Sequence, residues 1–363
     1  MSVTLIVGII LFGILALVVV ALVLSWREVM QVAPSAAPQL SYALTETLRT
    51  EDGAYIELRR LPVPGQLAPH LPPVLCVHGI GIDHHNNDMF ENRSVARHLS
   101  RRGRDVWLLT LRSGVRSSLR RSALTTFDRM ARYDLPLAIQ EVLSRTESDR
   151  LDYVGFSMGG MLAYAALPEL IPQGKVRRVV IMGSPGKVDV YDAPARLLAK
   201  MTPLWLIPEA PLQPMSRLVG RVAGRLRTPV HHRIINPENM APSDYPTALA
   251  TISTIPRALL SDFARFVRTG TLTFEGRPVL DALAGLEIPV QFVAGEEDRI
   301  APPDHVRAAY EAWGRERPHV EKIFWVAGRA SGAAFGYGHG DLAMGVRVDT
   351  EVLGRLGDFL ALP

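Results

Sequence analysis

A serine stands between two glycines in VGFSMGG (Val154 to Gly160), where an apolar run gives way to a helical pattern. Gly-x-Ser-x-Gly at such a boundary suits a nucleophile. A sharp strand-to-helix turn lifts the hydroxyl toward a substrate carbonyl, and its strained backbone has room only for small residues two before and two after. Gly155 and Gly159 occupy those positions. The pentapeptide alone is weak evidence, since such spacings arise by chance and a small residue also suits a plain turn. Between a buried-strand pattern and a helix expected from Met158 to about Leu170, it makes Ser157 the candidate nucleophile. The N-terminus of that helix then offers the Met158 amide to a developing oxyanion.

Serine needs a base, and the base needs an acid to orient it. Of ten histidines, His339 in GYGHGD is the best placed, in a glycine-dense loop after the last apolar run and before a final helix from Thr350 to Leu360. Asp298, in the turn EEDRIAPP, is the candidate acid, and Ser157, Asp298, His339 is a known chain order for such a triad. Glu296 and Glu297 are alternatives for the acid, and Asp189 or Asp192 weaker ones. The stretch VHGIG carries a second oxyanion donor. A glycine lets the backbone approach the substrate closely, so the Ile80 amide is the expected partner of the Met158 amide. Gly79 gives the close approach, and His78 orders the loop without acting as a base.

These residues fall at the ends of near-continuous apolar runs: VLCVHG, DVWLLTL, LDYVGFS, RRVVIMG, PVQFVAG and KIFWVAG. Strands buried on both faces read this way. Segments long enough for crossover helices separate them; one spans Asp134 to Arg145, with Asp134 as N-cap and Pro136 in its first turn. The alternation predicts an α/β fold with a mostly parallel sheet flanked by helices, and in such sheets reactive groups gather at the carboxyl ends of strands. Upstream, TETLRTEDGAYIELRRL predicts an antiparallel pair turning at Asp52-Gly53. Between the fourth and fifth runs, residues 187 to about 286 break the alternation and predict an inserted helical lid.

The chain has 363 residues, 48% of them hydrophobic, and a net charge of only +4. That suffices for a large core and lacks the clustered basic face of a nucleic-acid reader. Cys76, the single cysteine, lies inside an apolar run and reads as a small core residue. Val3 to Leu24 carries no charge, and at about 1.5 Å per residue it is long enough to span a bilayer. Residues 1–27 are therefore expected to form an uncleaved transmembrane anchor, since a signal peptide has a basic start and a shorter apolar stretch. Residues 28–41 follow as a Pro/Ala/Ser-rich linker, and 42–363 as the folded domain. The side of the membrane and the oligomeric state are open. In the lid, Arg217, Arg221 and Arg225 line one face of a segment from Met215 to Arg227; a lid helix with solvated arginines and a helix lying on anionic lipid both fit. Asp83 to Asp88 reads DHHNND. Adjacent histidines do not face one ion from a regular element, so a polar loop at the mouth of the site is expected and no metal or other cofactor.

VLCVHGIG, DVWLLTLRSG, FDRMARYDLPLAIQEVLSRTESDRLDYVGFSMGG, VAGEEDRIAPP and YGHGDL together resemble the α/β-hydrolases, in particular their acid-lipase-like branch. The similarity runs from about Pro73 to the C-terminus, outside the lid. It implies a metal-free Ser-His-Asp esterase or lipase acting on an apolar acyl or lipid ester, with the family's triad falling on Ser157, Asp298 and His339. Met158 stands where that branch commonly has Gln. Acyl transfer through the same triad, and a non-catalytic binding protein on the same fold, are the alternatives. Epoxide and haloalkane hydrolysis would need aspartate at position 157.

Overall fold

Each of the six apolar runs forms a strand, and the predicted hairpin precedes them. In the computed structural model, which describes residues 38, 40–63, 65–68, 70–115, 119–188, 209–210 and 234–363, β1 (Leu44–Arg49) and β2 (Tyr55–Arg60) are antiparallel. Gly53 takes the left-handed φ of +84° at the turn between them. Then come β3 (Val74–Val77), β4 (Val106–Thr110), β5 (Leu151–Phe156), β6 (Val176–Met182), β7 (Val290–Gly295) and β8 (Lys322–Ala327). They make one eight-stranded sheet in the order β1-β2-β4-β3-β5-β6-β7-β8. All pairs from β4 to β8 are parallel, while β2 meets β4 antiparallel. After β3 the chain steps outward to β4 and then returns past β3 to β5. The crevice beyond the carboxyl ends of β3 and β5 is thus the point where strand order reverses, the usual ligand position of such sheets.

The side chains of β3 divide between two cores in period two, because successive residues of a strand face opposite sides. Leu75 and Val77 join the larger core, with Met130, Ile139, Leu162, Phe266 and Trp313; Val74 and Cys76 join the smaller, with Val95, Leu99, Leu356 and Phe359. Helices α1 (Val95–Arg101) and α6 (Gly354–Ala361) cover the smaller core. The larger lies under α2 (Leu135–Thr146), α3 (Met158–Ala166), α4 (Arg257–Thr269) and α5 (Pro303–Ala312). Cys76 is fully buried and its thiol is pushed up by that burial, as a small core residue should be.

One expectation changes. Asp134 is not a helix cap: its own φ and ψ are helical. The helical path starts at Phe127, capped by the Thr126 side chain, and passes through a widened turn at Met130–Asp134 before α2. The Asp134 carboxylate instead accepts from the Arg112 N–H (3.0 Å) and Nε (2.7 Å). A buried guanidinium outcompetes cap duty, because a buried charge demands a partner. The later part of the insertion is rooted in the domain core. Helix α4 buries Leu259 and Phe266 in the larger core, and Phe127 meets Phe266 edge-on at 5.4 Å. The predicted anchor (1–27), nearly all of the linker (28–41) and the basic lid segment (215–227) lie outside the described residues. Among the described residues no helix is long and apolar enough to cross a membrane.

Candidate active site

Ser157 follows β5 directly and precedes α3, with φ +51° and ψ −116°. This is a conformation that L residues avoid, and it persists only where the surroundings enforce it. Here they do. A Cβ on Gly159 would lie 2.4 Å from the Val77 carbonyl oxygen, and one on Gly155 2.7 Å from Gly160 N. The buried Tyr153 hydroxyl donates to the Gly159 carbonyl (2.6 Å), and Ser157 N–H to Met182 O (2.8 Å).

At this point three chain-distant residues meet. His339 Nδ1 lies 2.8 Å from Asp298 Oδ2, and His339 Nε2 lies 2.9 Å from Ser157 Oγ. With Nδ1–H donating to the carboxylate, Nε2 is left to accept the serine proton. The other carboxylate oxygen of Asp298 accepts the N–H of Ile300 and of Ala301, each at 2.8 Å, which fixes its plane. All three side chains are buried, and Phe156 packs its ring 5.0 Å from that of His339. Glu296 and Glu297 are turned elsewhere: Glu296 accepts the Arg329 N–H (2.8 Å), and Glu297 pairs with the Arg329 guanidinium (3.4 Å). Asp189 and Asp192 fall outside the described residues.

The turn after β3 closes over the serine. A Cβ on Gly79 would be 3.1 Å from Ser157 Cβ, so the bare glycine is what permits the approach. His78 is fully buried. Its Nε2 accepts the Leu111 N–H (3.0 Å), leaving Nδ1–H to donate to Gly79 O (2.7 Å). Both ring nitrogens are engaged and burial lowers the imidazole's pKa, so His78 is a neutral brace. The Met158 amide is the first of α3, among the helix amides that lack an intrahelical acceptor. Ile80 sits partly buried against the larger core, next to Gly79.

The run Asp83 to Asp88 departs from expectation. It is not a solvated loop: His84, Asn86, Asn87 and Asp88 are buried, and the Asn86 side chain meets the Gly79 amide. Nor do His84 and His85 diverge: their rings lie 4.0 Å apart, and donor atoms of Asp83, His84 and His85 fall within 4.8 Å of one another. The short 3-10 turn at His84–Asn86 brings them together. Each is engaged within the protein: Asp83 Oδ1 takes the His85 N–H (3.0 Å) and ring Nδ1 (2.7 Å), while His84 Nδ1 faces Thr110 Oγ1 at 3.2 Å.

Two further buried groups, Arg112 and Asp341, carry little mark in the sequence. Arg112, at the exit of β4, is gripped by Asp134 and, through both terminal nitrogens, by Asp52 (2.7 and 2.9 Å). Burial raises the Asp52 pKa, but hydrogen bonds from Arg112, Thr50 and Arg129 outweigh this and hold it well below the carboxylate range; burial brings Asp134 up to about 6 against the pull of Arg112. Asp341, two residues after His339, accepts from Asn236 N–H, Gly338 N–H and Asn239 Nδ2, each at 3.0 Å. Its burial raises it to about 6 despite those bonds. Only the acidic residue in an otherwise glycine-rich GHGDL hinted at such a role.

Comparison with known proteins agrees with this fold. A family model described as the alpha/beta hydrolase fold matches residues 72–328. Human lipase member K is 34% identical over 143 residues, 35% of this chain and 36% of its own length. Human lysosomal acid lipase/cholesteryl ester hydrolase is 28% identical over 170 residues, 42% of each chain. The match thus spans about a third to two-fifths of these curated relatives. A soluble variant of monoglyceride lipase from Saccharomyces cerevisiae, solved with a substrate analog, superposes with a TM-score of 0.60 at 15% identity, covering 89% of this chain and 96% of that one, a likeness of fold.

Proposed function

The chain belongs to the α/β-hydrolase fold family, and on that premise we infer that it is a membrane-anchored carboxyl-ester hydrolase of lipase or esterase type, acting on an apolar acyl or lipid ester. Ser157 Oγ attacks the ester carbonyl as His339 Nε2 takes its proton. Asp298 holds the imidazole tautomer and stabilises the imidazolium. The carbonyl oxygen becomes an oxyanion facing the amides of Ile80 and Met158. His339 then returns its proton to the departing alkoxide, leaving an acyl-serine and an alcohol. Water, deprotonated by the same histidine, attacks the acyl-serine, releasing the carboxylic acid and restoring Ser157. The lid (about 187–286) covers the apolar acyl chain, and residues 3–24 hold the domain at the bilayer from which a lipid ester is drawn.

The observation carrying this reading is the unbroken line from Asp298 through His339 to Ser157, at 2.8 and 2.9 Å, where strand order reverses. A fluorophosphonate probe applied to cells expressing the full-length chain tests it. Label is expected on the wild type, in the membrane fraction, and absent from Ser157→Ala. Equal labelling of the two overturns the nucleophile; label recovered in the soluble fraction overturns the anchor.

A further inference from the structure

The turn after β3 presents two consecutive amides, those of Gly79 and Ile80, beside one nucleophile. Both cannot serve one oxyanion without changing its position. The geometry removes one of them. The Gly79 N–H donates to Asn86 Oδ1 at 2.9 Å, and Asn86 is 2% exposed. The next peptide is fixed from the other side, since its carbonyl, Gly79 O, accepts the His78 Nδ1–H at 2.7 Å. A trans peptide points its C=O and N–H in opposite directions. Holding Gly79 O toward the buried His78 ring therefore turns the Ile80 N–H away from that ring. The margin for error is small, because Gly79 already packs against Ser157.

We propose that Asn86 is a positioning residue of the reaction: by sequestering the Gly79 amide it fixes the first peptide plane of the oxyanion turn and leaves the Ile80 amide as the donor. Its own backbone is anchored, with Asn86 N–H bonded to Asp83 O (3.0 Å). The Asp83-His84-His85 contacts thus hold the turn that carries it. Without the Asn86 oxygen, the Gly79 amide is left buried without its acceptor, and it competes for the substrate oxygen in a displaced geometry. The inference rests on the esterase reading given above.

The test is steady-state hydrolysis of p-nitrophenyl butyrate by the full-length protein, together with inhibition by an alkyl trifluoromethyl ketone, whose serine adduct carries an oxyanion. Asn86→Ala is expected to lower kcat about 10- to 100-fold, below the loss of a donor itself, with KM within about twofold. Inhibition should weaken by the same factor as kcat/KM, because both report the tetrahedral oxyanion. Asn86→Asp keeps an acceptor for Gly79 and is expected to exceed Asn86→Ala in kcat. Should Asn86→Ala fail to fold, Asn86→Gln, which displaces the acceptor by one methylene, carries the same expectation of a kcat loss. Unchanged kcat in a folded Asn86→Ala or Asn86→Gln, or a kcat loss with inhibition unaffected, overturns the proposal and leaves the esterase reading standing. A wild type that neither hydrolyses the ester nor reacts with a fluorophosphonate overturns that reading, and this proposal with it.

Discussion

Ser157 and His339 lie 2.9 Å apart, yet different things hold them. The serine is set by its neighbours: its left-handed φ is enforced by Gly159 packed against β3, Gly155 against Gly160 and Gly160 against Ser184, and by the Tyr153 hydroxyl on Gly159 O. The histidine sits in a loop held from far away. Gly340 N–H donates to Ile234 O (2.7 Å), Asn236 Nδ2 to Gly336 O (2.7 Å), and Asp341 gathers Asn236 and Asn239. Residues 234–239 lie in the middle of the insertion between β6 and β7. The nucleophile is therefore fixed by local sterics, and the base by a segment within the predicted lid insertion. A movement of that segment reaches the base before it reaches the nucleophile.

This contrast can be broken most forcefully at Gly159. Gly159→Ala puts a methyl 2.4 Å from Val77 O, so backbone must shift. Ester hydrolysis is expected to fall about 100-fold or more through misplacement of the serine, with about 1–3 kcal/mol lost in urea unfolding. Near-normal turnover would show that the elbow is not sterically fixed.

On the other side, Asp341→Ala takes the acceptor from three buried donors. A roughly tenfold lower kcat is expected, from loosening of the His339 loop, with faster amide exchange at residues 234–240 by hydrogen-exchange mass spectrometry while β5 and α3 stay protected. Protection lost equally at the elbow would erase the distinction.

The smallest effect is a pH slope. Burial raises the folded Asp341 pKa to about 6 from an ordinary 3.8, and its hydrogen-bonding partners are neutral donors. A raised folded pKa means the native state binds the proton more tightly than the unfolded chain. Its contribution is full below about pH 4 and is lost as pH rises through about 6. Between pH 4 and 7, wild-type unfolding free energy should fall by about 2–3 kcal/mol relative to Asp341→Asn. Asp134 titrates in both proteins and cancels in that difference. A flat difference would show that the clamp carries no proton.

Much of this was legible in the chain because it is local. Six strands announce themselves as apolar runs, and Ser157 by the glycines its backbone demands. Asp298 and His339 follow from their places after strands, and they meet as expected. What misled was also local in form. Asp134 reads as a helix cap because it precedes Leu135-Pro136, yet Arg112, 22 residues earlier, claims it. The His84-His85 pair reads as divergent, yet one 3-10 turn stacks the rings.

The sequence by itself determined the strand set, the elbow and the identity of the three residues proposed for catalysis, since sterics and side-chain period act over a few residues. Only the tertiary structure decided how Asn86 is spent on the Gly79 amide and how Asp341 binds Asn236, 105 residues away. A buried hydrogen bond is satisfied by whichever partner the fold brings within 3 Å, and no spacing along the chain records which one that is.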